Sequence, residues 1–316
     1  MQIYLFVLLT KLFYRAPHMQ VLFFTWNTHG TSILPKIDSD ADLFIISLQE
    51  CYKMPSKDNI LQSIGKESGM FKYIESCSMW GLKTIIVSKK KLSLNFFRIG
   101  QGHLGFINKG FITSVINQNL VHINCHLAAH EHNNEKRIAQ LDQILSFSLS
   151  HLKTIVLAGD LNFRSLKEAD TFKRKYPMFL EHEITFEPTY KYKGNVFDIK
   201  RTPSYCDRVL YSSIFNTRVS IYKSLHSIVA SDHKPVICQI EIDETKKKMK
   251  KLPLYVPEST LLFYRIRTHI FMLLVSYAPI ILLLFLLKIS TCQFLKLIKK
   301  IYSLANNKIN TIENEV

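Results

Sequence analysis

Five short apolar runs in this chain each meet residues able to do chemistry. Residues 21–26 run into Asn27, inside TWNTHG. Residues 43–48 run into Gln49 and Glu50, and residues 120–125 into His126, inside INCHLAAH. Residues 154–158 lead to Gly159, Asp160, Leu161 and Asn162, and Ser231, Asp232 and His233 open the run 236–240. A strand end is where a rigid sheet can aim a side chain. Singly, such residues are ordinary turn and structural positions. Together they hold what phosphate-ester hydrolysis needs. Glu50, with Asn27 nearby, offers hard oxygen ligands to Mg2+, which takes few protein ligands and several waters. Asp160 is the candidate to orient or deprotonate an attacking water. His126, Asn162 and His233 can donate to phosphoryl oxygens as charge develops there. A cationic His233 needs a carboxylate, and Asp207 can supply it.

The elements that would hold these residues are mostly strands. Besides the five runs, residues 84–88 and 111–116 read as strands, and several runs are apolar on both alternations, as strands covered on both faces are. Between two of them, residues 135–152 carry Ile138, Leu141, Ile144, Leu145 and Leu149 on one helical stripe. Strands with covering helices imply a layered α/β domain. The formal charge of +16 favours an anionic partner without choosing among nucleic acid, an acidic membrane and a phosphorylated small molecule. Hydrophobic residues make up 47% of the 316, which excludes overall disorder. The cysteines at 51, 77, 125, 206, 238 and 292 form no CxxC pair, so buried reduced thiols are expected, without a disulfide or a zinc site.

The flanks differ from the middle. Residues 1–18 form an apolar leader without a basic start or an obvious cleavage site, and residues 19–243 form the catalytic domain. A basic linker follows at 244–260, with lysines at 246, 247, 248, 250 and 251. Residues 261–288 read as a transmembrane anchor, because 270–287 is 18 residues without a charge, the lower limit for a bilayer span. A basic tail, 289–316, completes the chain. A span so near the C-terminus implies a membrane partner and a cytosolic catalytic domain, with the endoplasmic reticulum or another endomembrane as the default. No candidate site residue lies beyond Lys234.

At this point the motifs themselves resemble a family. TWNTHG, SLQE, NKG, NCHLAAH, GDLNFR, PTYKY, RTPSYCDR and SDHKPV occur in the order found in the inositol polyphosphate 5-phosphatases, members of the endonuclease/exonuclease/phosphatase superfamily. The resemblance covers roughly residues 20 to 240. GDLN and SDH belong to the whole superfamily, whereas PTYKY and RTPSYCDR are far more specific to the 5-phosphatases. It implies a four-layer α/β sandwich and Mg2+-dependent removal of the 5-phosphate from phosphoinositides, chiefly phosphatidylinositol 4,5-bisphosphate. The 3,4,5-trisphosphate and soluble inositol polyphosphates are further substrate candidates.

The resemblance assigns Glu50 and Asn27 to the metal, Asp160 to the water, and Asn162 and His126 to the scissile phosphate, with Asp207 paired to His233. Tyr190, Lys191, Lys200 and Arg201 would hold the neighbouring 4-phosphate, with Asn108, Lys109 and Arg164 at the pocket. Tyr205 stands where the family usually carries Trp. Another superfamily phosphodiesterase (a sphingomyelinase or a nuclease) and a non-catalytic phosphoinositide-binding tether are the alternatives. Neither phosphodiesterase accounts for PTYKY or RTPSYCDR, so no nucleic-acid partner is expected.

Overall fold

Strands that are apolar on both alternations require cover on both faces, and two sheets packed face to face provide it. The computed structural model describes residues 18–65, 68–148, 154–246 and 258–286, with 296 and 299–300. In the first sheet β1 (His18–Asn27) and β2 (Leu43–Gln49) run parallel at the centre. Around them lie β13 (Val236–Lys246) and β12 (Phe215–Ser224) on one side, β4 (Leu82–Ser88) and β3 (Tyr73–Met79) on the other. The second sheet repeats the plan, with β7 (Leu120–His126) parallel to β8 (Thr154–Asp160). It is flanked by β11 (Asp207–Ser213) on one side and by β6 (Gly110–Ile116) and β5 (Leu94–Gly100) on the other. A two-stranded ribbon, β9 (Tyr192–Lys193) with β10 (Val196–Phe197), stands apart.

Alternation along each strand sorts the core. Val21, Phe23, Leu43 and Ile45 face Leu120, Val156, Ala158 and Val209 between the sheets. Leu22, Phe24, Phe44 and Ile46 point outward to Ile60 of helix α1 (Lys57–Ser63). On the opposite outer face, Ile123, Ile155 and Leu157 meet Leu141, Ile144 and Leu145 of α2 (Asn134–Ser148) and Phe172 of α3 (Leu166–Lys175). Each such side chain removed from water contributes about 1.5–3 kcal/mol. The layering is the expected four-layer α/β sandwich, helix outside sheet on both sides.

All seven anticipated strands are present. β3, β5, β11, β12 and the short ribbon strands β9 and β10 were not anticipated: β3, β5 and β12 have mixed exposure along their length and, like β11, stand at sheet edges, where apolar alternation weakens. Cys51, Cys77, Cys125, Cys206 and Cys238 are buried and unpaired, as expected.

The C-terminal expectation needs correction. Among the described residues, no helix is long and apolar enough to cross a membrane. The stretch from Tyr264 to Val275 of helix α4 (Glu258–Leu286) packs on the domain, while residues 278–280 are exposed. Phe271, Met272 and Val275 pack on Cys77, Met79, Leu82, Ile107 and Ile112, and the Arg265 guanidinium sits 4.2 Å over the Phe97 ring. The physical reason is that β5 is an edge strand, and an uncovered edge with apolar neighbours is a surface a helix can cover. The leader through residue 17, the linker lysines at 247–251, and residues 287–295 lie outside the described residues, as does the tail apart from 296 and 299–300.

Candidate active site

The two parallel pairs set the position of the site. β1 with β2, and β7 with β8, deliver their C-terminal ends to one end of the sandwich. There the register places Asn27 beside Gln49, His126 beside Asp160, and Asp160 beside Asp207. Gly159, just before Asp160, must be glycine: with φ of 156°, a Cβ there would stand 2.1 Å from the carbonyl oxygen of Cys125. Glu50 and Asn162 both adopt positive φ, 51° and 54°, as the chain turns sharply off its strand. For non-glycine residues this costs on the order of 1–3 kcal/mol, held by the surrounding packing.

Asp160 is the hub. Its Oδ2 accepts from Asn27 Nδ2 at 3.1 Å, and its Oδ1 accepts from the backbone N–H of Asn162 at 3.0 Å. The same Oδ2 lies 3.3 Å from His126 Nε2 and 4.0 Å from His233 Nε2. His126 Nε2 also touches Lys109 Nζ and stands 3.8 Å from Glu50 Oε1. Asn162 donates to the Leu127 carbonyl at 3.2 Å, and Arg164 donates to the Asn162 side-chain oxygen. Behind His233, Nδ1 meets Asp207 Oδ2 at 2.8 Å, and Thr189 donates to that same oxygen at 2.8 Å. Two ties fix this segment to β1: Trp26 Nε1 donates to the His233 carbonyl at 3.0 Å, and Ser231 Oγ to the Asn27 carbonyl at 2.7 Å.

Electrostatics follow from burial and these neighbours. Burial alone would raise the Asp160 carboxyl, but His233, His126 and Lys109 override it and hold the group well below the usual carboxylate range. Burial disfavours charge on His233 too, yet Asp207 and Asp160 push its pKa up to about 9. Burial raises the Asp207 carboxyl and, with Lys109 close by, lowers His126. Asp160 is therefore an anion and His233 a cation at neutral pH.

Asp160, Asp207 and His233 lie close enough together to resemble a metal cluster. A protonated imidazole whose Nδ1 is committed to Asp207 is no ligand, however, since metals take neutral imidazole. Glu50 fits a cation better. Its carboxylate is one-third exposed, and its two oxygens stand 3.8 Å from a His126 and a His29 nitrogen. Together with the Asn27 side-chain oxygen, which accepts from the His29 N–H at 3.2 Å, this is an oxygen donor set of the kind Mg2+ takes.

The substrate-side candidates separate into two groups. The Tyr190 ring lies 4.5 Å from that of His233, the Arg164 guanidinium 4.6 Å from the Tyr190 ring, and Lys191 Nζ 3.3 Å from Asp232 Oδ2. With Lys109, these line the site. Lys200 and Arg201 are exposed on a turn tied to Asp198, and Asn108 is exposed, its side-chain oxygen next to Gly102. Among the described residues, none of these three makes a side-chain contact with the hub.

Sequence reasoning gave no role to His29, Asp232 or Thr189. His29 Nδ1 lies 3.6 Å from Asp232 Oδ1 and 3.8 Å from Glu50 Oε2. Both residues sat inside motifs already singled out, TWNTHG and SDHKPV. Thr189, within PTYKY, carried no charge to mark it.

The His233–Asp207 pair makes a directional prediction. If turnover needs the imidazolium, activity persists below pH 9 and is lost as pH rises through about 9. Asp207→Asn removes the chief raising charge while burial still opposes ionisation. The alkaline limb of the pH–rate profile should then move well to the acid side. A limb that stays in place would show that the pair is not coupled to turnover.

Comparison with known proteins agrees with this geometry. The family model described as endonuclease/exonuclease/phosphatase family 2 matches residues 24–176 and 165–239. The type II inositol 1,4,5-trisphosphate 5-phosphatase of Mus musculus is 29% identical over 192 residues, 46% of this chain and 19% of that protein. Nitrophorin Cim l NP of Cimex lectularius is 30% identical over 113 residues, 33% of this chain and 37% of that one. The chain thus spans less than half the length of either of these curated relatives. Among solved structures, the inositol polyphosphate 5-phosphatase domain of a synaptojanin was determined with inositol (1,4)-bisphosphate and calcium ion. It superposes with a TM-score of 0.56 at 20% identity, covering 75% of this chain and 89% of that one, which shows the shared fold. Because the family match runs through every strand that ends in the site, this chain belongs to endonuclease/exonuclease/phosphatase family 2.

Proposed function

We propose that this chain is a phosphoric monoester hydrolase that removes the 5-phosphate of inositol polyphosphates and phosphoinositides, chiefly phosphatidylinositol 4,5-bisphosphate, with Mg2+. The fold alone does not decide this, since a nitrophorin is among the relatives. The observation that carries the reading is Asp160, an anion ringed by His126, His233 and Lys109, with Lys191 and Arg164 held beside His233 on the Tyr190 ring. Mg2+ held by Glu50 and Asn27 would neutralise charge on the phosphoryl and leaving oxygens.

The chain's own groups account for the remainder. Asp160 orients the attacking water and draws off its proton. As the water oxygen bonds to phosphorus and the phosphorus–O5 bond breaks, His126, Asn162 and imidazolium His233 donate to the oxygens that gain charge. The inositol oxygen leaves and takes up a proton equivalent to the one Asp160 drew from the water, which returns Asp160 to its anion. Lys191 and Arg164 are cations at the rim, suited to a second phosphate beside the reacting one.

The test is phosphate release from a panel of phosphoinositides and soluble inositol phosphates, with Mg2+ and with chelator, identifying the phosphate lost. Loss of the 4-phosphate, or cleavage only of phosphodiesters, would overturn the assignment. Within the panel, Lys191→Ala should slow substrates bearing a 4-phosphate by about 10- to 150-fold, the worth of a charge-assisted contact of about 1.5–3 kcal/mol. Substrates without that phosphate should be affected far less. Equal slowing of both would make Lys191 a source of general attraction and not a reader of that phosphate.

A further inference from the structure

Helix α4 reaches the loop that leads to Lys109 without contributing a residue to the active site. β5 ends at Gly100 and β6 begins at Gly110, and these two glycines pair across the ladder. The nine residues between them form a loop that ends on Lys109, the group touching His126. The loop closes on itself: Gln101 N–H donates to the Lys109 carbonyl at 2.7 Å, and Gly102 N–H to the Phe106 carbonyl at 2.8 Å. From the inside it is held by α2, with Gln101 Nε2 on the Gln140 carbonyl at 3.0 Å and Gln140 Nε2 on the Gln101 carbonyl at 3.1 Å.

Its outer side is held by α4. Gly100 N–H donates to Thr268 Oγ1 at 2.9 Å, and Arg267 Nη2 donates to the Gly100 carbonyl at 3.1 Å, so both polar groups of that peptide position are taken by the helix. The Arg267 guanidinium presses on Gly105 closely enough that a Cβ there would lie 2.1 Å from its Nε, at a residue whose φ of 85° already calls for glycine. Phe106 meets Phe271 edge-on at 5.7 Å and leans on Trp80 at 5.9 Å, and Trp80 meets Tyr52 at 6.2 Å, two residues past Glu50.

We propose that α4 acts as a brace, with Arg267, Thr268 and Phe271 as positioning residues that hold the 100–109 loop so that Lys109 meets His126. The C-terminal segment then sets turnover from outside the motif-bearing region, and a chain cut before residue 258 lacks the brace while keeping every motif. The kinetic part of this inference rests on the phosphatase reading. The structural part does not.

The test uses full-length protein in a double-mutant cycle. Arg267→Ala alone should lower kcat by about 10- to 100-fold, the scale of a misplaced catalytic group. Lys109→Ala should lower it at least as much. The double variant should be no slower than Lys109→Ala, because the brace acts through that lysine. Multiplying effects would overturn the proposal, as would a full-speed Arg267→Ala enzyme. A second readout needs no activity. The chain has two tryptophans, and Trp26 is 1% exposed against 40% for Trp80, so acrylamide quenching reports chiefly on Trp80. Phe271→Ala should free Phe106 and increase that quenching at unchanged global fold by circular dichroism. Unchanged quenching would remove the contact on which the brace depends. A wild-type chain that released no phosphate would remove the functional reading alone, leaving the quenching result to judge the clasp.

Discussion

Asp160→Ala is expected to lower kcat by about 10²–10⁴-fold, the range for a positioned acid–base group, with KM little changed. The size follows from the number of roles that meet on one carboxylate. Asp160 is 1% exposed, accepts from Asn27 and from the Asn162 backbone, and is the anion that both His126 and His233 face. On the proposed mechanism, removing it takes away the group that orients water, and it also removes one of the charges that keep His233 protonated. Alanine further leaves buried cationic groups without their shared counter-charge, so a loss of fold must be separated from a loss of chemistry. Asp160→Asn does this, since an amide keeps the shape and can still accept from the Asn162 N–H. Asparagine should be nearly as slow as alanine. An asparagine enzyme within tenfold of wild type would show that the water is handled elsewhere.

Arg137→Ala carries the largest expected stability effect. Arg137 is fully buried, and its guanidinium grips both oxygens of Glu168, which is 3% exposed, while donating to the Ala128 and His130 carbonyls at 2.8 and 2.6 Å. Glu168 in turn accepts from the Arg164 backbone N–H at 3.0 Å, and its own N–H caps on Ser165 at the start of α3. Deleting one partner strands a buried carboxylate and costs about 3–5 kcal/mol. For a domain of this size that lowers the melting midpoint by on the order of 10 °C. Replacing the pair together, Arg137→Met with Glu168→Leu, should recover much of the stability, because a buried ion pair is seldom better than good apolar packing. It should not recover turnover, since the loop from Leu127, whose carbonyl holds Asn162, would lose its clamp on α3. If the double variant melted as low as Arg137→Ala, the stranded charge would not be the cause.

Neither residue of that clamp was visible as functional in the sequence. Arg137 falls within a stripe read for its apolar residues, and Glu168 follows a motif that seemed to end at Arg164. Their meeting joins two helices through residues 31 positions apart, a separation that no local pattern encodes. The same holds for α4. Its apolar composition is real, but composition cannot distinguish a bilayer from the flank of an edge strand as the surface that covers it. Only the gathering of Cys77, Met79, Leu82, Ile107 and Ile112 beside Phe271, Met272 and Val275 decides which.

What the sequence by itself determined is the central sheets and the hub. Strands apolar on both faces could only be buried, and polar residues at their ends could only gather where parallel strands finish together. That Asn27, Glu50, His126, Asp160 and His233 would gather at one place was therefore legible from alternation and motif order. The tertiary structure decided which charged neighbours count. Lys191 reaches the rim while Lys200 and Arg201 stand on an exposed turn, although all three sit in adjoining motifs of the same sign. Charge type is written in a sequence, but Coulomb energy depends on separation and burial, and those are fixed only when β7, β8, β11 and the 188–193 segment close around one carboxylate.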